Sequence, residues 1–296
     1  MKASNNRIVQ ALVRNRSGYG LMSPYFIFFL FFVAYPMLFS LVLVFNRWSI
    51  VGPLEFVGLG NFREMLGDQL FWKAMGNTLL FISIHIPLQI SIALLLAVTL
   101  NQKLLIRGFF RAAFFLPVVV SGVAVVILWK QFYGTDIGLF NQLLGYIGVE
   151  RIPWITSPRW AMPSIAVMAT WKNVGLYIII FLAGLQNVPK SLYEAAEMDG
   201  ANSWQKFRYI TIPAINPAMV MVVILSTING FNLFIEPYVM TSGGPMHSTL
   251  SGVLYVYKQA FNFFRMGYAA TIGFTIAAII MIVVLVQRKL FEQEVD

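Results

Sequence analysis

Six runs of about twenty apolar residues divide this sequence, at 24–45, 77–100, 112–129, 161–185, 217–235 and 268–286. An α-helix of about 20 apolar residues crosses a hydrocarbon core of about 30 Å. Within lipid every backbone N–H and C=O must be satisfied internally, so the chain has little choice but helix. These runs predict an all-α, polytopic membrane protein with six transmembrane helices. Composition agrees: 58% of the 296 residues are hydrophobic and 11% charged, against about 25% charged in soluble domains.

The first run follows Lys2, Arg7, Arg14 and Arg16, as a signal peptide's apolar region would. It is too long for one and lacks a small-x-small cleavage pattern. It reads as an uncleaved span kinked at Pro36, behind an N-terminal segment at 1–23. An even number of spans puts both termini on one side. Twelve Lys and Arg fall on that side, including Lys103, Arg107, Arg111, Lys190, Lys206 and Arg208, against eight on the other over longer loops. The positive-inside rule therefore places both termini in the cytoplasm, with a tail at 287–296. On the outer side, 138–148 (GLFNQLLGYIG) and the aromatic 255–264 (YVYKQAFNFF) read as surface-lying helices, and 241–245 (TSGGP) as a turn.

The net charge of +9 is spread between apolar runs, so it suits an anionic membrane lipid surface and not nucleic acid. There is no cysteine, and His85 and His247 show no ligand spacing. No phosphate-binding loop, zinc-protease or nucleophile-elbow motif occurs. The chain is expected to bind no metal or cofactor of its own, and any nucleotide must be hydrolysed elsewhere.

One polar island interrupts the apolar pattern, at 185–217. Ser191 and Glu194 have capping-box spacing, and Ala195 and Ala196 continue a short helix. Asp199 and Gly200 stop it, since glycine accepts a left-handed cap. Asn202 or Ser203 can cap a second short helix before Pro213 and Pro217. The result is an elbow along the membrane surface. It reads equally as a helix docked in a partner's groove or as an ordinary amphipathic connector.

Polar side chains inside spans are functional candidates because burial in lipid is costly. Trp171, Lys172, Asn173 and Tyr177 cluster in the fourth span; Ser226, Asn229, Gly230 and Asn232 in the fifth, with Glu236 at its outer end. Amide, hydroxyl and aromatic groups suit a polyhydroxylated solute, and interhelical glue is the competing role. Lys172 lies too deep to snorkel easily and points to a cavity or subunit interface. His85, two residues before Pro87, reads as packing at a kink.

Glu194-Ala195-Ala196, Asp199-Gly200-Ala201 and 210–213 (ITIP) resemble the EAA loop of ATP-binding-cassette (ABC) importer permeases. The segments 56–62 (FVGLGNF), 76–78 (GNT), 111–117 (RAAFFLP), 129–130 (WK), 171–175 (WKNVG), 182–186 (LAGLQ) and 241–245 resemble the carbohydrate-uptake branch of that family. The likeness covers nearly the whole chain after residue 24. It implies the ABC type I importer permease fold, with a transmembrane permease domain at 24–286 and a coupling loop at 186–216. It also implies a second homologous permease, an ATP-binding-cassette ATPase dimer carrying ATP and Mg, and an extracytoplasmic solute-binding protein at the bacterial cytoplasmic membrane. Glu194, Ala195, Ala196, Asp199, Gly200 and Ala201 would couple to the ATPase. The tail lacks the extension of one permease type, which makes this chain similar to the maltose or glycerol-3-phosphate first permease. It departs from the maltose protein in lacking a large domain in its second outer loop. The implied function is import of a sugar or oligosaccharide by alternating access. A phosphorylated polyol such as glycerol-3-phosphate is the runner-up, with Lys172 offering positive charge. A stand-alone channel or membrane-embedded enzyme is the rival from another class, and neither accounts for the elbow.

Overall fold

A computed structural model describes residues 16–102 and 106–291. Lys2, Arg7, Arg14, Lys103 and the last five residues of the expected tail lie outside the described residues.

Among the described residues, four helices are long and apolar enough to cross a membrane unbroken: α1 (Ser17–Val44), α3 (Gln69–Asn101), α7 (Ala161–Gln186) and α13 (Met266–Phe291). Two bent pairs supply the remaining apolar length. α4 (Arg107–Val119) and α5 (Gly122–Phe132) meet at 97°, and α9 (Ser203–Ala214) meets α10 (Asn216–Phe231) at 67°. The total is six spans if each bent pair counts as one. The third span expected at 112–129 is this bent pair, α4 and α5. Val120 is extended and Ser121 non-helical, behind Pro117 and beside a Ser-Gly step, the kind of sequence that bends helices. The second bend falls before Pro217, which starts a new helix well because its missing N–H is unpaired there anyway. α10 stops at Phe231, short of the expected end of the fifth span at 235, and α11 (Ile235–Thr241) begins after a short break.

α7 is the central helix, with 61% of its apolar window buried against 11% for α1. Its C-terminal half packs Tyr177, Ile178 and Phe181 against Ala93, Ala97 and Leu100 of α3 and Val222 of α10. Small residues permit the close crossings. A Cβ on Gly175 would lie 2.1 Å from the Phe114 carbonyl oxygen, and one on Gly184 would lie 2.8 Å from Ala218 Cβ. Close backbone approach of this kind replaces hydrophobic drive as the packing device within lipid. The 111–117 and 171–175 motifs are therefore the two sides of one helix contact.

The face at the opposite end of the bundle from the 185–217 elbow is built from short pieces. β1 (Asn46–Arg47) pairs antiparallel with β2 (Glu55–Phe56). In α2 (Gly60–Gly67) the buried Asn61 amide donates to the Val44 and Asn46 carbonyls at 2.9 and 3.1 Å, tying the end of α1 to the 56–62 motif. Asn77 donates to the carbonyls of His247 and Leu250 at 2.7 and 3.0 Å, and Thr78 accepts from the Gly252 amide at 3.0 Å. The 76–78 motif thus clasps the loop that follows α11. Helices occur where 138–148 and 255–264 led us to expect them, as α6 (Leu139–Tyr146) and as α12 (Gly252–Tyr257), the latter continuing as a wide π-turn through Lys258–Asn262.

Asp68 knits three of these elements together. One carboxylate oxygen caps α3 by accepting from the Leu70 amide at 2.9 Å. The other accepts from the hydroxyls of Tyr255 in α12 and Tyr268 in α13. Burial by itself would raise the Asp68 pKa, but these hydrogen bonds outweigh it and hold the carboxyl below its ordinary value.

Candidate functional site

Two places on this frame gather the polar residues singled out in the sequence. The first is a cavity of about 410 Å³ between α3, α7 and the α10–α11 break, within the range of ligand-binding clefts, about 300–1,000 Å³. α7 contributes Lys172, Asn173 and, one turn on, Tyr177; α10 contributes Asn229, its C-cap Asn232 and, across the break, α11 contributes Glu236. The break itself turns Asn232 and Glu236 toward α7, because the chain leaves the α10 axis before α11 starts.

Within the cavity Asn229 donates to the Tyr177 hydroxyl at 3.1 Å, a bond joining α10 to α7. Asn173 and Asn232 each spend one amide N–H on their own helix, on the carbonyls of Ala169 and Ile228 at 3.0 and 2.9 Å. Lys172 Nζ stands 3.7 Å from Glu236 Oε1, with the two side chains 14% and 12% exposed. The cavity therefore presents amide and hydroxyl groups beside a self-compensating pair of charges.

Three expected residues lie elsewhere. Trp171 is turned away, its ring 5.3 Å from that of Trp129. Ser226 is fully buried with its hydroxyl unpartnered. Gly230 marks a helix crossing, where a Cβ would stand 2.9 Å from Ile82 of α3. α3 adds two cavity residues that the sequence reading did not place there, Phe81 and His85. The His85 ring stacks on Phe81 at 4.9 Å between centroids, and its Nδ1 lies 2.8 Å from the Thr170 hydroxyl. Thr170 in turn donates to the Ala166 carbonyl, which leaves Nδ1 as the donor to Thr170. The i, i+4 spacing of Phe81 and His85 was the available signal; what it lacked was which face of α3 meets α7.

The second place is the elbow. α8 (Lys190–Met198) starts one residue before the expected Ser191 cap. Pro189 occupies the capping position without a side-chain cap, so the Ser191–Glu194 capping box is not formed. The capping box belongs to the second helix instead: Asn202 accepts from the Gln205 amide at 2.9 Å while the Gln205 side chain accepts from the Asn202 amide at 2.8 Å. Between them Gly200 adopts φ +77°. Its amide donates to Glu197 and the Ala201 amide to Ala196, at 3.0 and 2.9 Å. That pattern is a Schellman stop, which needs a left-handed residue. Lys206 of α9 closes on Glu197 of α8 at 2.7 Å, and Tyr193 bonds Thr211 at 2.9 Å. Ala196, Asp199, Gly200 and Ala201 line an open cleft of about 320 Å³ between the two short helices. Glu194 and Ala195 are exposed on α8, and the surface around them carries exposed Leu192, Met198, Trp204 and Tyr209. The elbow thus carries an exposed apolar surface beside its carboxylates.

Known proteins share this arrangement. Residues 89–295 match the family model of the binding-protein-dependent transport system inner membrane component. The chain is 41% identical over 263 residues to the lactose transport system permease protein LacF of Rhizobium radiobacter, covering 86% of this chain and 87% of that one. It is 36% identical over 280 residues to the probable ABC transporter permease protein YesP of Bacillus subtilis, covering 93% and 90%. The arabinooligosaccharides transport system permease protein AraP of the same organism is 36% identical over 271 residues, covering 90% and 86%. Among solved structures, a chain of a bacterial alginate ABC transporter in complex with its alginate pentasaccharide-bound periplasmic protein has the same fold. Its TM-score is 0.84 at 24% identity, covering 97% of each chain. With most of its length inside the family model and inside relatives above 30% identity, the chain belongs to the family of binding-protein-dependent transport system inner membrane components.

Proposed function

We propose that this permease carries a neutral sugar or oligosaccharide through the cavity between α3, α7 and α10. The observation that carries the reading is the Lys172–Glu236 pair. Because Glu236 compensates Lys172, the cavity offers no net positive charge to a phosphorylated polyol, while Asn173, Tyr177, Asn229 and Asn232 offer the hydrogen-bonding groups a polyhydroxylated solute needs. The relatives named for lactose and for arabinooligosaccharides support the same substrate class.

In this reading the termini and the elbow face the cytoplasm. A partner ATPase dimer, loaded with ATP and Mg, grips Glu194 to Ala201. A second homologous permease completes the pathway, and a solute-binding protein delivers the sugar from outside. ATP-driven closure of the ATPases moves the elbow, and α10, which follows α9 across a single bend, passes the movement to Asn229 and Asn232. This is alternating access, in which ATP biases one of two states of the bundle.

The test is co-purification followed by a ligand panel. The tagged permease should bring down an ATPase, a second permease and a binding protein whose melting temperature rises with one sugar. A binding protein stabilised only by phosphorylated polyols would overturn the substrate assignment. ATP-independent flux through the isolated chain would overturn the importer reading.

A further inference from the structure

At the foot of α4, Arg107 and Arg111 stand one helical turn apart and both reach for the end of α7. With the Gln186 amide turned so that its oxygen faces them, that oxygen accepts from Arg107 at 2.8 Å and from Arg111 at 3.0 Å. Two guanidinium groups therefore share one neutral acceptor. Each guanidinium carries five N–H donors and a full positive charge. The two Nε atoms are buried without a hydrogen-bond partner, and neither arginine has a carboxylate within ion-pair distance among the described residues. Like charges at i, i+4 repel, and among the described residues no anion accompanies this pair. The surroundings fix the depth of the site. Ile106, Phe109 and Phe110 beside the arginines are exposed, as apolar side chains are where a helix enters lipid, and Gln186 is open to the outside.

We propose that Arg107, Arg111 and Gln186 form a binding site for the phosphate of an anionic membrane phospholipid. Planar guanidinium forks match phosphate oxygens in paired hydrogen bonds. Basic recesses between helices at the headgroup level are where such lipids are held. A bound phosphate would join α4 to the last turn of α7, the residue from which the elbow departs, and so brace the elbow's root. The inference uses the orientation proposed above only to name the leaflet, which would be the cytoplasmic one; its chemistry stands without the importer reading.

The experiment compares unfolding temperatures of the purified chain in nanodiscs of phosphatidylcholine alone and with added phosphatidylglycerol. The wild type should gain about 2–4 °C from phosphatidylglycerol, as one such interaction is worth in a chain of this size. R107Q/R111Q should gain nothing, and R107K/R111K should keep part of the gain. Q186E supplies the missing anion from within, so it should be more stable in the neutral lipid and indifferent to phosphatidylglycerol. Equal gains in wild type and R107Q/R111Q would overturn the site. So would a wild type that does not respond. A gain produced by inorganic phosphate in neutral nanodiscs would overturn the lipid as its source. Loss of the response once partner chains are co-purified would assign the arginines to a partner's carboxylate and overturn it as well.

Discussion

Lys172 and Glu236, sixty-four positions apart, meet with Nζ and Oε1 3.7 Å from one another at the edge of the polar cavity. One belongs to the central helix α7 and the other opens α11, just past the break that ends α10. The contact pins the discontinuity that follows α10 to α7, the most buried of the long helices. It also cancels the charge that would otherwise make the cavity an anion site.

Removing one member should be worse than removing both. Lys172→Met leaves a nearly buried carboxylate without its cation, a loss of about 3–5 kcal/mol in fully buried cases and less here because the cavity is open. Lys172→Met with Glu236→Leu should recover most of that loss. Thermal unfolding of the wild type and the two variants in detergent checks this, and a double variant no better than the single would refute the pairing.

Gly200→Val tests the elbow. A Cβ there meets nothing within 4 Å, so the penalty is conformational, since φ is +77°. Forcing a β-branched residue into the left-handed region costs at least about 1–2 kcal/mol, enough to shift the Schellman stop without unfolding the spans. The variant should reach the membrane and assemble, while ATP hydrolysis by the complex no longer drives uptake. Paired ATPase and uptake assays decide it; wild-type transport would sink the coupling role.

Gly175→Ala tests the contact between α4 and α7. The added methyl falls 2.1 Å from a backbone carbonyl, where no side-chain rotation relieves it. Overpacking of this sort costs about 1–3 kcal/mol. The unfolding midpoint should fall, whereas Gly273→Ala, with open space around its Cβ, should leave it unchanged.

Asp68 predicts an acid-sensitive step. Its folded pKa lies below the ordinary value of 3.8, so its contribution is fully present above the unfolded pKa and is lost as pH falls through the folded one. Asp68→Asn should be less stable than wild type near neutrality, because the caps and clasps to Leu70, Tyr255 and Tyr268 weaken. Its stability should also fall less steeply below about pH 4. Unfolding midpoints of the two proteins across that range supply the check, and parallel curves would contradict it.

Much of the molecule was legible before folding. Helix class and the apolar runs follow from the hydrocarbon length and the need to satisfy the backbone within lipid, which act on each segment alone. The Gly200 stop was readable because only a left-handed position demands that residue there. Sequence likewise singled out Lys172, Asn173, Tyr177, Asn229, Asn232 and Glu236, because polar groups within apolar runs need a reason.

Other features depended on contacts between distant segments. Which polar residues face a common space is set by helix rotation and crossing angle, and a periodicity argument contains neither. The structure turned Trp171 onto Trp129, sealed Ser226 in the core, used Gly230 for close approach to Ile82, and brought in Phe81 and His85 from α3. The bends at Val120–Ser121 and Ile215 escaped notice because hydropathy averages across a break. The capping box went to Asn202 because Pro189 already started the first short helix. The sequence by itself determined the segments that lie in lipid and the elbow that leaves it. Only tertiary packing decided that Lys172 and Glu236 neutralise one another, since side chains sixty-four residues apart acquire a distance only when the helices that carry them are packed.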